Sequence, residues 1–256
     1  FRLRLLSQNN KVEIPINYQY PISAAIYKIL NQANTEYASF LHETGYGKGF
    51  KFFSFSQLNA PFKIEKDRMI IPGKEVSFDI AFQLPDAAEN FIKGLFQTQK
   101  IDIADKFSKS SFNVTSVESL KNRLNNYPEN EIIALELKPL SPVVCGWPTE
   151  NGNYEFLSPD DKRFEEVLVH NWREKIKACF GESNAKNALL ILGIHQLNTP
   201  PKSRLITIKA DTKEQTKIRG WMNFRIKVTA EKRLIELLLN TGAGVYNAMG
   251  CGMVEG

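Results

Sequence analysis

Three residues in the first fifth of the chain carry side chains suited to proton transfer beside a negative charge: Tyr27, His42 and Lys48. They are separated by 15 and 6 residues. Histidine exchanges protons near neutral pH, which makes His42 a candidate general acid or base. Lys48 is a compact charge within Tyr46-Gly47-Lys48-Gly49, a flexible basic loop able to follow an anionic group. Tyr27 adds a phenol that can position a hydroxyl or share in proton transfer. Taken singly, a helix tyrosine packs, a lone histidine is satisfied at the surface or in the core, and a loop lysine is solvated.

Local elements must hold this group. Pro21 suits the first turn of a helix running to about Asn31, with Ile22, Ile26, Ile29 and Ala33 as its core stripe. At roughly 100° per residue, Tyr27 falls off that stripe, towards solvent or a cleft. Asn34-Thr35 can cap a second short helix, Glu36 to Glu43, which Gly45 ends. His42 then lies near a helix C-terminus, where the dipole favours the protonated ring.

The rest of the N-terminal half continues the pattern. Phe1 to Leu5 and Val12 to Ile16 alternate as strands, with Gln8-Asn9-Asn10 as a hairpin turn between them. Phe50 to Leu58, Met69 to Pro72 and Glu75 to Gln83 read as strands, Pro85 to Thr98 as a helix, and Ile101 to Val117 as strand or irregular. Strand, helix, strand, strand, helix, strand fits a ferredoxin-like unit. Asn125 to Asn130 is the best linker, and after it the pattern restarts. Ile132 to Leu140 and Ala188 to Gln196 are strands flanking a long helix, Asp160 to Phe180. Arg204 to Lys209 and Trp221 to Thr229 form a strand pair around a polar turn. Ala230 to Leu239 is a helix, followed by a final strand. The expected class is α+β, with two tandem ferredoxin-like (RRM-like) domains, 1–128 and 129–256.

Thr241 to Gly256 holds two Gly-x-Gly pairs, Gly242/Gly244 and Gly250/Gly252. Bare backbone allows close approach, and consecutive amides can form an anion nest. A dinucleotide loop needs G-x-G-x-x-G between a strand and a helix, and here the glycines follow a helix. A tight helix-to-strand turn is the structural alternative.

Charge is uneven. The net charge is +5, yet Lys202 to Arg233 alone carries ten basic residues against three acids, Asp211, Glu214 and Glu231. A nucleic-acid face or a solvated hairpin both explain it. Lys202, Arg204, Lys209, Arg219 and Arg225 are the candidate contacts, joined by Lys51 near the loop lysine and by the four glycines. Lys48 to Phe55 loosely echoes the aromatic strand of RNA-recognition domains, although Lys51 and Phe53 depart from that pattern. Alternation points Phe50, Phe52 and Ser54 one way and Lys51, Phe53 and Phe55 the other. Trp147, Trp172 and Trp221 read as packing residues.

Other chemistries lack their residues. No Walker loop, nucleophile elbow or kinase set is present. Acidic residues are scattered, without the cluster a two-metal nuclease needs. Cys145, Cys179 and Cys251 give neither a disulfide ladder nor a zinc pattern, and His170 and His195 show no ligand spacing. No metal or cofactor is expected. The N-terminus does not read as a signal-peptide core, and Ala188 to Ile194 is too short to span a bilayer, so a reducing, cytoplasmic location is expected.

The glycine-rich C-terminus and the Tyr27, His42, Lys48 spacing together resemble the CRISPR-associated endoribonucleases that cut repeat RNA, the Cas-six family. In members that cleave, a tyrosine on the first helix, a histidine near the end of the next and a lysine in the following loop form the active site. The resemblance covers both ends of the chain; Phe62 to Glu131 carries no matching motif. It implies a metal-independent endoribonuclease that cleaves CRISPR precursor RNA through its own 2′-hydroxyl, with products ending in 5′-hydroxyl and 2′,3′-cyclic phosphate. It leaves the division of acid and base roles between Tyr27 and His42 open. The implied partner is CRISPR repeat RNA, with a larger effector complex and a homodimer as further expectations. One alternative is a non-cleaving repeat-RNA binding protein, against which His42 argues. Another is a small-molecule regulatory protein that uses the glycine loop for an anion.

Overall fold

The structure, a computed structural model, describes residues 1–9, 11–210 and 212–256. Asn10 of the expected hairpin turn and Asp211 of the basic segment lie outside the described residues.

The N-terminal half runs β1 (Arg2–Ser7), β2 (Val12–Pro15), α1 (Gln19–Ala33), α2 (Thr35–Glu43), β3 (Phe53–Phe55), β4 (Lys63–Glu65), β5 (Arg68–Ile71), β6 (Glu75–Phe82), α3 (Pro85–Thr98), β7 (Lys100–Ala104) and β8 (Lys109–Glu118). Its main sheet has the order β3-β6-β1-β8-β7. The strands β3, β6, β1 and β8 stand in ferredoxin-like order, with β7 added at one edge. Alternation in β1 buries Leu3 and Leu5. Arg2 and Arg4 point the other way, to Asp79 at 2.8 Å and Glu118 at 2.9 Å.

The expected hairpin of the first two strands does not form. β1 is the central strand, with β6 on one edge and β8 on the other, so no edge is free for β2. β2 instead pairs with β5 in a second sheet, β2-β5-β4.

The C-terminal half runs β9 (Ile132–Pro139), β10 (Gly146–Pro148), β11 (Tyr154–Phe156), α4 (Arg163–Phe180), α5 (Glu182–Asn187), β12 (Ile191–Gln196), β13 (Lys202–Ile208), β14 (Thr216–Met222), β15 (Phe224–Glu231), α6 (Lys232–Thr241), a 3₁₀ turn (Asn247–Met249) and β16 (Val254–Glu255). The sheet order β12-β15-β9-β16 repeats the arrangement of the first half. The chain is therefore two tandem ferredoxin-like units. Phe164, Leu168, Trp172 and Ile176 form the buried stripe of α4, and the indole N–H of Trp172 donates to the Leu234 carbonyl at 2.9 Å.

One strand pairing differs from expectation. Residues 204–208 pair with 216–220, and β15 belongs to the main sheet of its domain. Asn223 explains the break. It has φ +66, and its amide nitrogen donates to Thr199 and Pro200, so the chain leaves one sheet at Met222 and enters another at Phe224.

Strand β3 and the β13–β14 hairpin join the halves. Phe52 has φ +53, which breaks the alternation expected across Phe50 to Phe55. Phe52 packs into the C-terminal core, while Phe53 and Phe55 pack into the N-terminal one. The hairpin lies across the N-terminal unit: Arg204 donates to the Ile16 carbonyl at 2.8 Å, and Asn17 Oδ1 accepts from the Thr207 amide at 3.1 Å.

Candidate active site

Helix α2 begins as expected, with Asn34 Oδ1 accepting from the Tyr37 amide at 2.9 Å. It ends with the Gly45 amide donating to Phe40 O at 2.8 Å. This places His42, exposed, in the last turn. Tyr27 projects from α1 to meet it. Their ring centroids are 5.2 Å apart at 86°, and Phe53 holds the other side of Tyr27 at 5.8 Å. Tyr27 lies off the buried stripe, partly exposed and packed against the edge of the N-terminal core. Burial pushes its phenol above the ordinary tyrosine range, so it keeps its proton at neutral pH.

The two lysines of the loop have separate partners. Lys51 Nζ donates to the His42 carbonyl at 3.0 Å, ties the loop to the end of α2, and has its pKa lowered by burial. Lys48 Nζ lies 2.9 Å from Glu174 on α4, with side-chain exposures of 68% and 20%. The same lysine, by hydrogen bond and charge, holds the Glu174 carboxyl below its usual range.

Lys48 and Lys51 form one wall of a cleft of about 310 Å³ between the two halves. Asn171 and Lys175 of α4 form the back, and Val245 to Met249 the opposite lip. The glycine loop owes its shape to the protein's own packing. A Cβ on Gly244 would lie 2.3 Å from the Val144 carbonyl oxygen, and one on Gly250 2.5 Å from the Phe55 ring. A Cβ on Gly242 would lie 2.7 Å from Asn247 Nδ2, and one on Gly252 2.0 Å from the Ala243 carbonyl oxygen. All four have positive φ, where side chains are strained. The amides of Gly242, Ala243, Val245, Met249, Gly250 and Gly252 donate to protein carbonyls. The glycines therefore fold the loop, and its crest, Val245 to Met249, meets the cleft.

Lys175 holds this loop from beneath. Its fully buried ammonium reaches Gly242 O at 2.6 Å, Asn247 Oδ1 at 2.7 Å, and Thr241 O and Gly244 O at 3.3 Å. Burial lowers its pKa to about 7. Lys175, Asn171 and Glu174 escaped the sequence reading. Their only trace was Asn171 and Lys175 at i, i+4, one position to the side of the apolar stripe of α4.

The basic residues of the C-terminal half divide. Lys202, Arg204 and Arg225 line a groove of about 370 Å³ with Lys138, Met222 and Asn223. Arg204 also stacks over Tyr18 at 5.1 Å, so part of its charge serves the joint between the halves. Arg225 lies 3.8 Å from Glu136, which also meets His195 at 3.3 Å on the sheet edge. Arg219 is exposed and donates to Ser203 Oγ at 3.2 Å, and Lys209 pairs with Glu214. Trp172 and Trp221 are buried, as packing residues should be. Among the described residues, no three His, Cys, Asp or Glu side chains group as metal ligands. No helix among them is long and apolar enough to cross a membrane.

Two ferredoxin-like units, joined across a cleft that carries lysines and a glycine loop, define a class of protein that comparison with known families makes specific. Residues 13–118 match the family described as CRISPR-associated protein Cas6, N-terminal, and residues 125–256 match CRISPR associated protein Cas6, C-terminal. The chain belongs to the Cas6 family. It is 30% identical to the "CRISPR-associated endoribonuclease Cas6 1" of Methanocaldococcus jannaschii over 97% of this chain and 89% of that one. Among solved structures, "CRISPR associated protein Cas6" superposes with TM-score 0.70 at 26% identity, covering 99% of this chain and 97% of the other. A Cas6-related protein from Pyrococcus furiosus superposes with TM-score 0.80 at 19% identity and the same coverage, a likeness of fold.

Proposed function

We propose that the protein is a metal-independent endoribonuclease that cleaves CRISPR precursor RNA within its repeats. The observation that carries this reading is the edge-on contact of Tyr27 with His42 beside the loop of Lys48 and Lys51. Family membership and the relative named as an endoribonuclease support it.

RNA brings its own nucleophile, the 2′-hydroxyl beside the scissile phosphate. Its oxygen attacks phosphorus, and the bond to the 5′ oxygen breaks, leaving a 2′,3′-cyclic phosphate and a 5′-hydroxyl. One proton leaves the 2′-hydroxyl and one arrives at the 5′ oxygen, so His42 can take up and return a proton within a turnover. Tyr27, which holds its own proton, donates a hydrogen bond and fixes the imidazole ring by edge contact. This favours His42 over Tyr27 as the base. Lys48 and Lys51 supply positive charge for the phosphorane-like transition state. Substrate strand would run from the cleft over the crest of the glycine loop towards the groove of Lys202, Arg204 and Arg225, with Arg219, Lys209 and the loop glycines Gly242, Gly244, Gly250 and Gly252 shaping that path.

The experiment is incubation with repeat RNA from the host's own array in EDTA, followed by mapping of the cut and its ends. Cleavage is expected to persist in EDTA. It should vanish when the nucleotide 5′ of the cut carries a single 2′-deoxy substitution. Cutting of that deoxy substrate would overturn the mechanism.

A further inference from the structure

Asn171 is 8% exposed, yet its side-chain oxygen is buried without a hydrogen-bond partner among the described residues. Buried amide oxygens are normally paired, because desolvation without a partner is costly. Asn171 is one of the residues that line the cleft. Its neighbours there are of two kinds. Phe50, Tyr246 and Met249 offer flat or apolar surface, and Lys51 offers positive charge. The rings of Phe50 and Phe52 are parallel to within 2°. Among the described residues no carboxylate lines the cleft, and Glu174 beside it is paired with Lys48. A volume of about 310 Å³ is at the lower end for small-ligand sites, which suits one nucleotide and not a duplex.

The geometry points to a nucleotide pocket in which the Asn171 carboxamide reads the base of one unstacked nucleotide of the RNA, with adenine as the preferred base. This rests on the endoribonuclease reading and adds a specificity residue to it. Single-stranded RNA is read by splaying bases onto aromatic surfaces and bonding their edges. The unpaired oxygen needs a donor, and adenine offers an amino group beside a ring nitrogen that accepts from the amide. Lys51 is placed to meet the phosphate of the same nucleotide.

The test is a scan of the repeat RNA, one abasic site at a time, bound by wild type and by Asn171→Ala. The substitution should weaken binding of intact RNA on the order of ten-fold. At one position, an adenine, the abasic RNA should bind both proteins equally, because the contact is already lost. The melting temperature of the free protein should stay level or rise, since an unpaired buried group is removed; a packing asparagine would lower it. Should Asn171→Ala fail to fold, Asn171→Asp carries the same scan. Affinity equal to wild type, or the same loss at every position, overturns the pocket, and convergence at a base other than adenine overturns the preference. If wild type itself neither binds nor cuts repeat RNA, the endoribonuclease reading falls and the pocket with it. If wild type does both and only the scan is flat, the pocket alone is wrong.

Discussion

The rings of Tyr27 and His42 meet edge to face at 5.2 Å, across the junction of α1 and α2. The contact needs no long-range topology, because the two helices are joined at Asn34, which caps the second. It gives the imidazole a fixed wall on one side while the ring remains exposed on the other. It also explains why a half-buried tyrosine lies at the edge of the N-terminal core instead of within it.

Removal of the imidazole tests that arrangement directly. His42→Ala should lower the single-turnover cleavage rate on the order of 10²–10⁴-fold, with RNA affinity nearly unchanged. Tyr27→Phe keeps the ring contact and should lower the rate less. The double substitution should cost less than the product of the two. His195→Ala, at the far sheet edge, is the control and should cut at the wild-type rate. Wild-type speed from His42→Ala would remove His42 from the reaction.

The Lys48–Glu174 pair places a carboxylate at the rim of a cleft proposed to receive phosphate. A phosphate must compete with Glu174 for that lysine. Glu174→Gln should therefore tighten RNA binding a few-fold, while Lys48→Ala slows cleavage. Because Lys48 is largely exposed, loss of the pair should change stability by less than about 1 kcal/mol. Weaker RNA binding by a folded Glu174→Gln would show that Glu174 holds Lys48 in place instead of competing for it.

Counterion release offers a test of the RNA path. Reversal of Lys202 and Arg219 to Glu should weaken RNA binding and flatten its salt dependence. The slope should fall by about 0.7 for each lost phosphate contact on single-stranded RNA. Titrations of both proteins at several salt concentrations decide it. An unchanged slope moves the RNA to another face.

Lys175 sets a pH dependence of stability. Its native pKa is lowered to about 7, against 10.5 for an ordinary lysine. Between those values the unfolded chain binds more protons than the native one, so stability rises with pH, by up to about 1.4 kcal/mol per unit. Below pH 7 both states are protonated there, and above 10.5 neither is, so the contribution is flat. Urea unfolding of wild type and Lys175→Met from below pH 7 to above pH 9 should show the stability difference growing in favour of wild type. A constant difference would mean that Lys175 stays charged, held by its four oxygen acceptors.

Much of this was local, and local chemistry is legible in a chain. The main strand and helix order of both halves followed from periodicity and the cap at Asn34 from residue type, while the Tyr27, His42, Lys48 group was suggested by the family resemblance. The glycines of the C-terminus announced an unusual backbone. What fills the space beside them is a tertiary matter: Val144 lies against Gly244, and Phe55 of the other half lies against Gly250. Tertiary structure alone also decided that β1 is central and cannot pair with β2, that Asn223 moves the chain between sheets, and that Arg204 is shared with Tyr18. It brought Lys175 under the loop and Glu174 to Lys48. Lysine, asparagine and glutamate on an amphipathic helix ordinarily face water. Whether such a face is solvated or closed over depends on a partner far along the chain, and periodicity within the helix carries no record of that partner.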